Sequence, residues 1–187
     1  MPTILAEARG LSKDFPVKGK KGAILHGVSQ VDLPVYEGET LALVGESGCG
    51  KSTLGRLLLG LLPPTEGQVL FDGQDLAQCA PKELRVLRRQ MQMVFQDPLS
   101  SFSPRMKIGT YLAEPRRNYD KVSKQQAFTE AEQLLEKVGL PRDFLVRYPH
   151  ELSGGMCQRV MIAMAMSCEP ELLIADEPTT ALDVTIQ

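Results

Sequence analysis

A glycine-rich segment limits what this chain can fold into more than any other feature of the sequence. Residues 45–52 read Gly-Glu-Ser-Gly-Cys-Gly-Lys-Ser and fit the pattern G-x-x-x-x-G-K-[ST] in full. The apolar run Leu41–Val44 precedes the segment and a leucine-rich stretch, 54–62, follows it, so we predict a buried strand, a loop and a helix. Glycines let backbone N–H groups curl around phosphate oxygens, and a helix N-terminus favours an anion. The segment therefore predicts a phosphate loop.

The phosphate loop has two side chains with specific expected roles. Lys51 is expected to reach the β- and γ-phosphates of a nucleotide, and the Ser52 hydroxyl is expected to ligate Mg²⁺. Cys49 occupies a variable position of the pattern, so we interpret it as backbone spacing rather than as a nucleophile. A chance glycine-rich turn is the alternative, and the flanking strand and helix disfavour it. The predicted nucleotide-binding residues of the loop are Gly45, Glu46, Ser47, Gly48, Cys49, Gly50, Lys51, Ser52 and Thr53.

Two adjacent carboxylates follow a second apolar run. Asp176 and Glu177 come directly after Leu172–Ala175, which we predict to be a buried strand. In a parallel sheet of this kind, the carboxyl end of a central strand lies beside the phosphate loop. Asp176 is therefore expected to join the Mg²⁺ shell, and Glu177 to polarise the attacking water. A plain strand-ending turn is the alternative, and the complete phosphate loop favours the catalytic interpretation.

A second glycine pair precedes another helix. Ser153 is a good N-cap, Gly154 and Gly155 expose backbone N–H groups, and an apolar stretch follows at Val160–Met166. This arrangement predicts a second anion site at a helix N-terminus. One nucleotide does not need two such sites from one chain, so we expect a dimer in which this element contacts the nucleotide of the other copy. An ordinary capped helix is the alternative, and we interpret the methionines at 156, 161, 164 and 166 as core filling.

The remaining patterns set the fold class. Strands alternating with helices predict an α/β fold, a P-loop NTPase core with a mostly parallel sheet, an N-terminal antiparallel β section and a helical subdomain. We expect one domain over 1–187, with the nucleotide-binding core at 1–97 and 151–187 and the helical subdomain at 98–150. The elements behind this prediction are strands at Val69–Phe71 and Met91–Phe95, a turn at Asp72-Gly73, and a helix that opens at Ser123 in a capping box with Gln126 and stops at Gly139.

Composition excludes several classes of protein. The net charge of −2 gives no basic field for nucleic acid, so no nucleic-acid partner is expected. No run of about 18 apolar residues occurs, so nothing in the sequence predicts a bilayer span. The segment from Met1 to Lys13 lacks the apolar core of a signal peptide, which indicates a cytosolic location. The four cysteines are far apart, so we expect reduced packing thiols rather than a disulfide or zinc framework.

Taken together and in order, these motifs resemble those of the ABC ATPase family. The resemblance covers nearly the whole chain and adds a glutamine loop, a signature sequence and a D-loop to the phosphate loop and the second acidic motif. The matching segments are 45–52, Val94-Phe95-Gln96-Asp97-Pro98, Leu152 to Arg159, Leu172 to Pro178, and Ala181-Leu182-Asp183.

This resemblance implies roles for further residues. Gln96 would touch the Mg²⁺ or the attacking water and link the site to the membrane subunits. Ser153, Gly154 and Gly155 would contact the γ-phosphate across the dimer, and Asp183 would sit at the dimer interface. Phe15 stands where the family usually carries an aromatic residue that stacks on adenine. The implied catalytic residues are Glu177 and Gln96, and the implied metal ligands are Ser52, Gln96 and Asp176.

The subtype resembles the dipeptide, oligopeptide and nickel import group. The resemblance lies in Gly45–Arg56, in Ser103-Pro104-Arg105 and in Arg147–Ser153. It implies an ATP-binding and ATP-hydrolysing subunit at the cytoplasmic face of the membrane that powers import of peptides or a related small solute, with nickel and glutathione still open. The implied partners are a second ATPase subunit (identical or paralogous), two permease subunits, for which Pro98–Pro115 is the expected contact, and, indirectly, an extracytoplasmic solute-binding protein.

Two other functions remain as alternatives. An ABC-type ATPase of DNA repair or translation would carry zinc modules, coiled coils or tandem domains, and the sequence shows none of these. A non-catalytic nucleotide-binding fragment is the second alternative, because the sequence stops at Gln187 before the strand and switch histidine that the resemblance places next. On this basis we expect a C-terminally truncated cassette that binds nucleotide but hydrolyses ATP poorly.

Overall fold

The computed structural model describes residues 2–20 and 22–178. The chain divides into two compact units, Met1–Arg88 and Arg89–Gln187, and the division into core and helical subdomain made above stays a prediction. In chain order the elements are β1 (Ile4–Pro16), β2 (Ile24–Tyr36), α1 (Lys51–Leu58), β3 (Glu66–Phe71), β4 (Gln74–Asp75), α2 (Pro81–Gln90), β5 (Met91–Val94), α3 (Pro98–Ser101), α4 (Ile108–Tyr119), α5 (Lys124–Lys137), two 3₁₀ turns (Arg142–Val146 and Pro149–Glu151), α6 (Gly154–Met166) and β6 (Leu172–Ala175).

The first unit is built on an antiparallel sheet of four strands in the order β2-β1-β3-β4. The predicted N-terminal antiparallel section is therefore confirmed, and the predicted turn at Asp72-Gly73 joins β3 to β4. Helix α1 packs its apolar side inward through Leu54, Leu57 and Leu58, which are buried. A leucine-rich helix with one apolar side needs such a sheet beneath it to be stable in water.

The run Leu41–Val44, which precedes the phosphate loop, does not form the predicted strand. Its residues adopt no regular structure, and Val44 is 94% exposed. An apolar run of this kind becomes a buried strand only where neighbouring strands supply hydrogen bonds and cover both of its faces. None of the paired strands in the described residues, 2–20 and 22–178, pairs with this segment. The prediction of a buried strand here is therefore wrong for this structure.

The second unit contains a parallel strand pair and a helical core. Strands β5 and β6 pair in register from Met91 opposite Leu172 to Val94 opposite Ala175, which confirms both predicted strands. Leu172 is buried but Leu173 is 44% exposed, so β6 is only partly the buried strand predicted. Helices α4, α5 and α6 enclose the fully buried apolar side chains of this unit, among them Ile108, Leu112, Ala131, Leu135, Val160 and Met161.

Helix α5 begins and ends at the predicted residues, with a different first turn. The Ser123 hydroxyl accepts a hydrogen bond from the Gln126 N–H at 3.2 Å, and Gly139 ends the helix with a φ of 71°. The Gln126 side chain donates to Glu130 at 3.0 Å. The Gln126 side chain is thus turned along the helix toward Glu130 and not back to the Ser123 N–H, so the predicted capping box is only half formed.

A group of paired charges ties α4 to its neighbours. The guanidinium of Arg116 donates to Glu130 at 2.7 Å and also to Asp120, and Arg89 donates to Asp120 at 2.8 Å. All four side chains are about a quarter to a third exposed, so these pairs are screened less than pairs at the open surface. The ion pairs therefore connect the last residues of α2 with α4 and α5.

Sulfur-containing side chains divide between core and surface. Cys157, Cys168 and Met161 are fully buried, as predicted for packing residues. Met156 and Met166 are 37% and 44% exposed, so the prediction of core filling is wrong for these two. A helix buried on one side must leave some of its residues outside, whatever their hydrophobicity. In the part of the chain that the structure describes, no helix is long and apolar enough to cross a bilayer.

Candidate nucleotide-binding site

The phosphate loop curls around its own lysine. The Lys51 ammonium group donates to the carbonyl oxygens of Gly45 and Glu46, both at 2.8 Å. Gly48 and Gly50 have φ angles of 80° and 100°, a region that side-chain-bearing residues rarely occupy. Gly50 caps α1, so Lys51 and Ser52 open the helix at its positive end. The backbone thus has the concave form that cradles phosphate groups.

The other predicted residues of the loop occupy two environments. Ser52 and Thr53 lie in the first turn of α1 and are half-buried, and Ser52 already takes part in a polar interaction. Glu46, Ser47 and Cys49 are exposed. The exposed Cys49 differs from the buried packing role predicted for the four cysteines together, and its sulfur lies 3.8 Å from the Lys51 ammonium.

Phe15 lies in the same unit as the loop, near the end of β1. Its partner across the β1–β2 pair is Leu25, and its ring extends diagonally over Gly27: a Cβ placed on Gly27 would come within 2.7 Å of Phe15 Cε2. The carbonyl oxygen of Gly27 in turn lies 2.1 Å from a Cβ placed on Gly50 of the loop. Gly27 thus contacts both features, so the half-buried aromatic ring and the phosphate loop share a neighbour.

The candidate catalytic residues meet at one edge of the parallel pair in the second unit. Asp176 follows β6, and its backbone N–H donates a hydrogen bond to the carbonyl oxygen of Val94 at 2.9 Å, which holds the ends of strands β5 and β6 together. One residue beyond Asp176, the Glu177 carboxylate accepts a hydrogen bond from the Gln96 amide at 2.7 Å. Glu177 has a φ of 48°, which turns its side chain away from the direction a continuing strand would give. Gln96 and Glu177, predicted from separate motifs, are therefore in direct contact.

The serine–glycine–glycine element forms the predicted cap of α6. The exposed Ser153 accepts a hydrogen bond at its Oγ from the Met156 N–H at 3.3 Å. Gly154 and Gly155 occupy the first turn and are half-buried, while the rest of the helix packs into the core of the unit. The glycine pair therefore stands at the solvent end of a firmly packed helix. Asp183 lies outside the described residues.

Two residues of interest escaped the sequence analysis. Gly27 carries no motif, and its relation to Phe15 depends on the register of β1 against β2, which the sequence does not reveal. The sequence pattern assigns Asp97 only to the glutamine loop, yet its carboxylate accepts hydrogen bonds from the N–H groups of Leu99 and Ser100 at 3.1 and 3.3 Å and caps α3. An Asp directly before Pro at the start of a helix is the signal that was available for this cap.

Solved structures with the same fold are ATP-binding cassettes. The chain superposes on the dimeric structure of the ATP-binding cassette MJ0796 in a post-hydrolysis state with ADP and Pi, with a TM-score of 0.85 and 30% identity over 96% of this chain and 76% of that one. A second match is cbiO1 of Clostridium perfringens, part of the ABC transporter complex cbiONQ, with a TM-score of 0.74 and 27% identity over 97% of this chain and 68% of that one. The fold is that of an ATP-binding cassette.

Sequence comparison identifies the family. Residues 28–180 match the family model described as ABC transporter. The oligopeptide transport ATP-binding protein OppF of Escherichia coli is 47% identical over 98% of this chain and 57% of its own length. The dipeptide transport ATP-binding protein DppD of Bacillus subtilis is 47% identical over 89% of this chain and 52% of its own length. The chain belongs to the ABC transporter family, and it spans little more than half the length of these relatives.

Proposed function

We propose that the chain is the nucleotide-binding part of a subunit that hydrolyses ATP to power import of peptides or a related small solute. The observation that carries this proposal is the phosphate loop, in which two glycines with positive φ turn the backbone around Lys51 at the start of α1. Such a loop supports binding of a triphosphate by backbone N–H groups and one ammonium group. Phe15, which shares Gly27 as a neighbour with the loop, is suited to stack on the adenine base.

A magnesium ion is part of this proposal. Ser52, Gln96 and Asp176 offer a hydroxyl, an amide and a carboxylate oxygen, the class of donor that Mg²⁺ prefers. When bound, the ion would neutralise charge on the phosphates. Glu177 is the base that would orient and polarise the attacking water, and the 2.7 Å contact from the Gln96 amide holds its carboxylate in one position. Gln96 is therefore proposed to hold the base as well as to bind the metal.

Dimer formation completes the proposed site. Ser153, Gly154 and Gly155 form a second helix N-terminus at the surface of the second unit, with the serine already engaged in capping. In the proposal these residues approach the γ-phosphate bound by the other copy, and Asp183 lies at the interface. The solved relative MJ0796, described as dimeric, supports this arrangement. The partner ATPase is either identical or a paralogue.

The transport role rests on the relatives. Peptide transport ATP-binding proteins match this chain at 44% to 48% identity, which favours import of peptides over DNA repair or translation. The proposed complex holds two permease subunits and works at the cytoplasmic face of the membrane, with a solute-binding protein outside as an indirect partner.

We propose Pro98–Pro115, directly after Gln96, as the contact with the permeases. Crosslinking from Arg105 or Met106 to a permease tests this contact, and an assembled complex without crosslinks would contradict it.

Replacing Glu177 with Gln tests the catalytic assignment. The variant should retain ATP affinity but lose hydrolysis, and it should trap ATP in a dimer, because the amide keeps the side chain's shape but cannot act as a base. Size-exclusion chromatography with radiolabelled ATP measures the trapped nucleotide. Glu171→Gln, at the other end of the same strand, is the matched control and should behave as the wild type. Unchanged turnover in Glu177→Gln would remove Glu177 from the mechanism.

A further inference from the structure

Gly27 of β2 is a neighbour of both the Phe15 ring and the phosphate loop. A Cβ on Gly27 would stand 2.7 Å from Cε2 and 3.1 Å from Cδ2 of the Phe15 ring, and 3.4 Å from the Lys13 carbonyl oxygen. On its other side, the Gly27 carbonyl oxygen would stand 2.1 Å from a Cβ on Gly50. Both of these distances are shorter than van der Waals contact permits. Neither residue 27 nor residue 50 can therefore carry a Cβ in this arrangement, and glycine at each position is what allows it.

The packing around Gly27 makes it a spacer rather than a loose turn. It belongs to β2 and is the extra residue where the register shifts between the pairs Lys13–Val28 and Asp14–His26, two residues beyond Leu25, the partner of Phe15. The next residue, Val28, is buried, and its Cγ2 lies 3.7 Å from the position of a Cβ on Gly50. The loop therefore rests on residues 27 and 28 from one side while the Phe15 ring rests on residue 27 from the other.

We propose that Gly27 is a positioning residue that sets how far the Phe15 ring stands from the phosphate loop, and thereby how well the ring stacks on an adenine whose phosphates the loop holds. The inference rests on the proposed nucleotide-binding function. A methyl group at residue 27 moves the ring from 2.7 Å to at least 3.4 Å, a displacement of about 0.7 Å. Stacking falls steeply over such a distance because the attraction between ring faces depends on close contact.

The ring, rather than the backbone, is the part that yields. The atoms that a Cβ on Gly27 would meet first are at the far edge of the Phe15 side chain, which is half-buried and so has room to rotate. Gly27→Ala is therefore expected to keep the fold and the phosphate loop while changing the base platform. Weaker binding of the adenine base with unchanged binding of the phosphates distinguishes a positioning role from a merely structural one.

The test compares ATP with inorganic tripolyphosphate as competitors of a fluorescent ATP analogue. Gly27→Ala should weaken ATP binding by roughly 3- to 10-fold and leave tripolyphosphate binding unchanged, and Phe15→Ala should weaken ATP binding by roughly 5- to 150-fold, the range that base stacking on aromatic side chains supplies. The double variant should bind ATP no more weakly than Phe15→Ala alone, because without the ring there is nothing to displace. Ser29→Ala, an exposed position of the same strand, should match the wild type.

Distinct results would overturn the inference. Wild-type ATP affinity in Gly27→Ala, or an equal loss of ATP and tripolyphosphate that Phe15→Ala does not absorb, would show that residue 27 does not act through the ring. If Gly27→Ala fails to fold, Gly27→Ala is combined with Phe15→Leu, and ATP binding weaker than in Phe15→Leu alone would contradict the proposal. A folded wild type that binds no ATP would instead overturn the proposed function, and this inference with it.

Discussion

Helix α6 buries a glutamine, Gln158, in the apolar core of the second unit. Gln158 has no exposed surface. Among the residues that the structure describes, neither its amide nitrogen nor its amide oxygen has a hydrogen-bond partner. Burying a polar group without a partner costs about 1–3 kcal/mol, because its hydrogen bonds to water are lost and not replaced. We therefore expect Gln158 to destabilise the helical core in which it lies.

Replacing Gln158 with Met removes this cost while it fills the same space. Methionine is unbranched and of similar length, so no cavity opens and little repacking is needed. We expect the free energy of unfolding to rise by about 1–3 kcal/mol, and each kcal/mol to raise the melting temperature by roughly 2–4 °C for a chain of this size. Nucleotide affinity should not change, because the replacement adds no charge and leaves the cap at Ser153 in place.

Urea unfolding followed by far-UV circular dichroism measures the effect. The slope of the free energy against urea should stay constant, since the change alters stability and not the surface exposed on unfolding. Gln125→Met, at an exposed position of α5, is the matched control and should stay within about 0.5 kcal/mol of the wild type. If Gln158→Met instead lowers the free energy of unfolding by about 1 kcal/mol or more, the wild-type Gln158 must be hydrogen-bonded, for example to a buried water.

Two further predictions concern the second unit. Ser153→Ala removes the side-chain cap of α6 and should lower the free energy of unfolding by about 0.5–2 kcal/mol, while Ser153→Asn should restore most of it; equal stability of all three in urea would contradict the capping role. The hydrogen bond from Arg116 holds the pKa of Glu130 below its ordinary value. The stability that ionised Glu130 contributes is therefore complete above its unfolded-state pKa, and it is lost as the pH falls through the lower folded-state pKa. The stability difference between the wild type and Glu130→Gln should therefore shrink in acid, and a difference independent of pH in parallel urea titrations would contradict this.

The parts of the site that the sequence predicted are those that local chemistry determines. The phosphate loop depends on glycines and a lysine within one short segment. The cap at Ser153 is likewise a matter of a few adjacent residues. Such features need no knowledge of distant pairing, so pattern and spacing were enough to predict them.

The features that sequence missed depend on distant partners. The closeness of Gly27 to Phe15 requires the register of β1 against β2, which shifts at several bulges along the pair. The run Leu41–Val44 has the composition of a buried strand, yet composition does not supply the neighbours that a strand needs. Met156 and Met166 show the same limit, because the side of α6 that faces solvent is decided by what packs against the helix and not by the helix itself.

Calorimetric titration of the folded chain with ATP and Mg²⁺ tests whether the chain binds ATP through the phosphate loop. We expect saturable binding that tripolyphosphate competes away. We also expect Lys51→Ala to weaken binding by roughly 10- to 150-fold, since a charge-assisted hydrogen bond contributes about 1.5–3 kcal/mol. The same variant should keep nearly the wild-type melting temperature, because the Lys51 contacts to Gly45 and Glu46 are exposed. A folded wild type with no saturable ATP binding, or a Lys51→Ala variant with equal affinity, would show that the chain does not bind ATP through this loop.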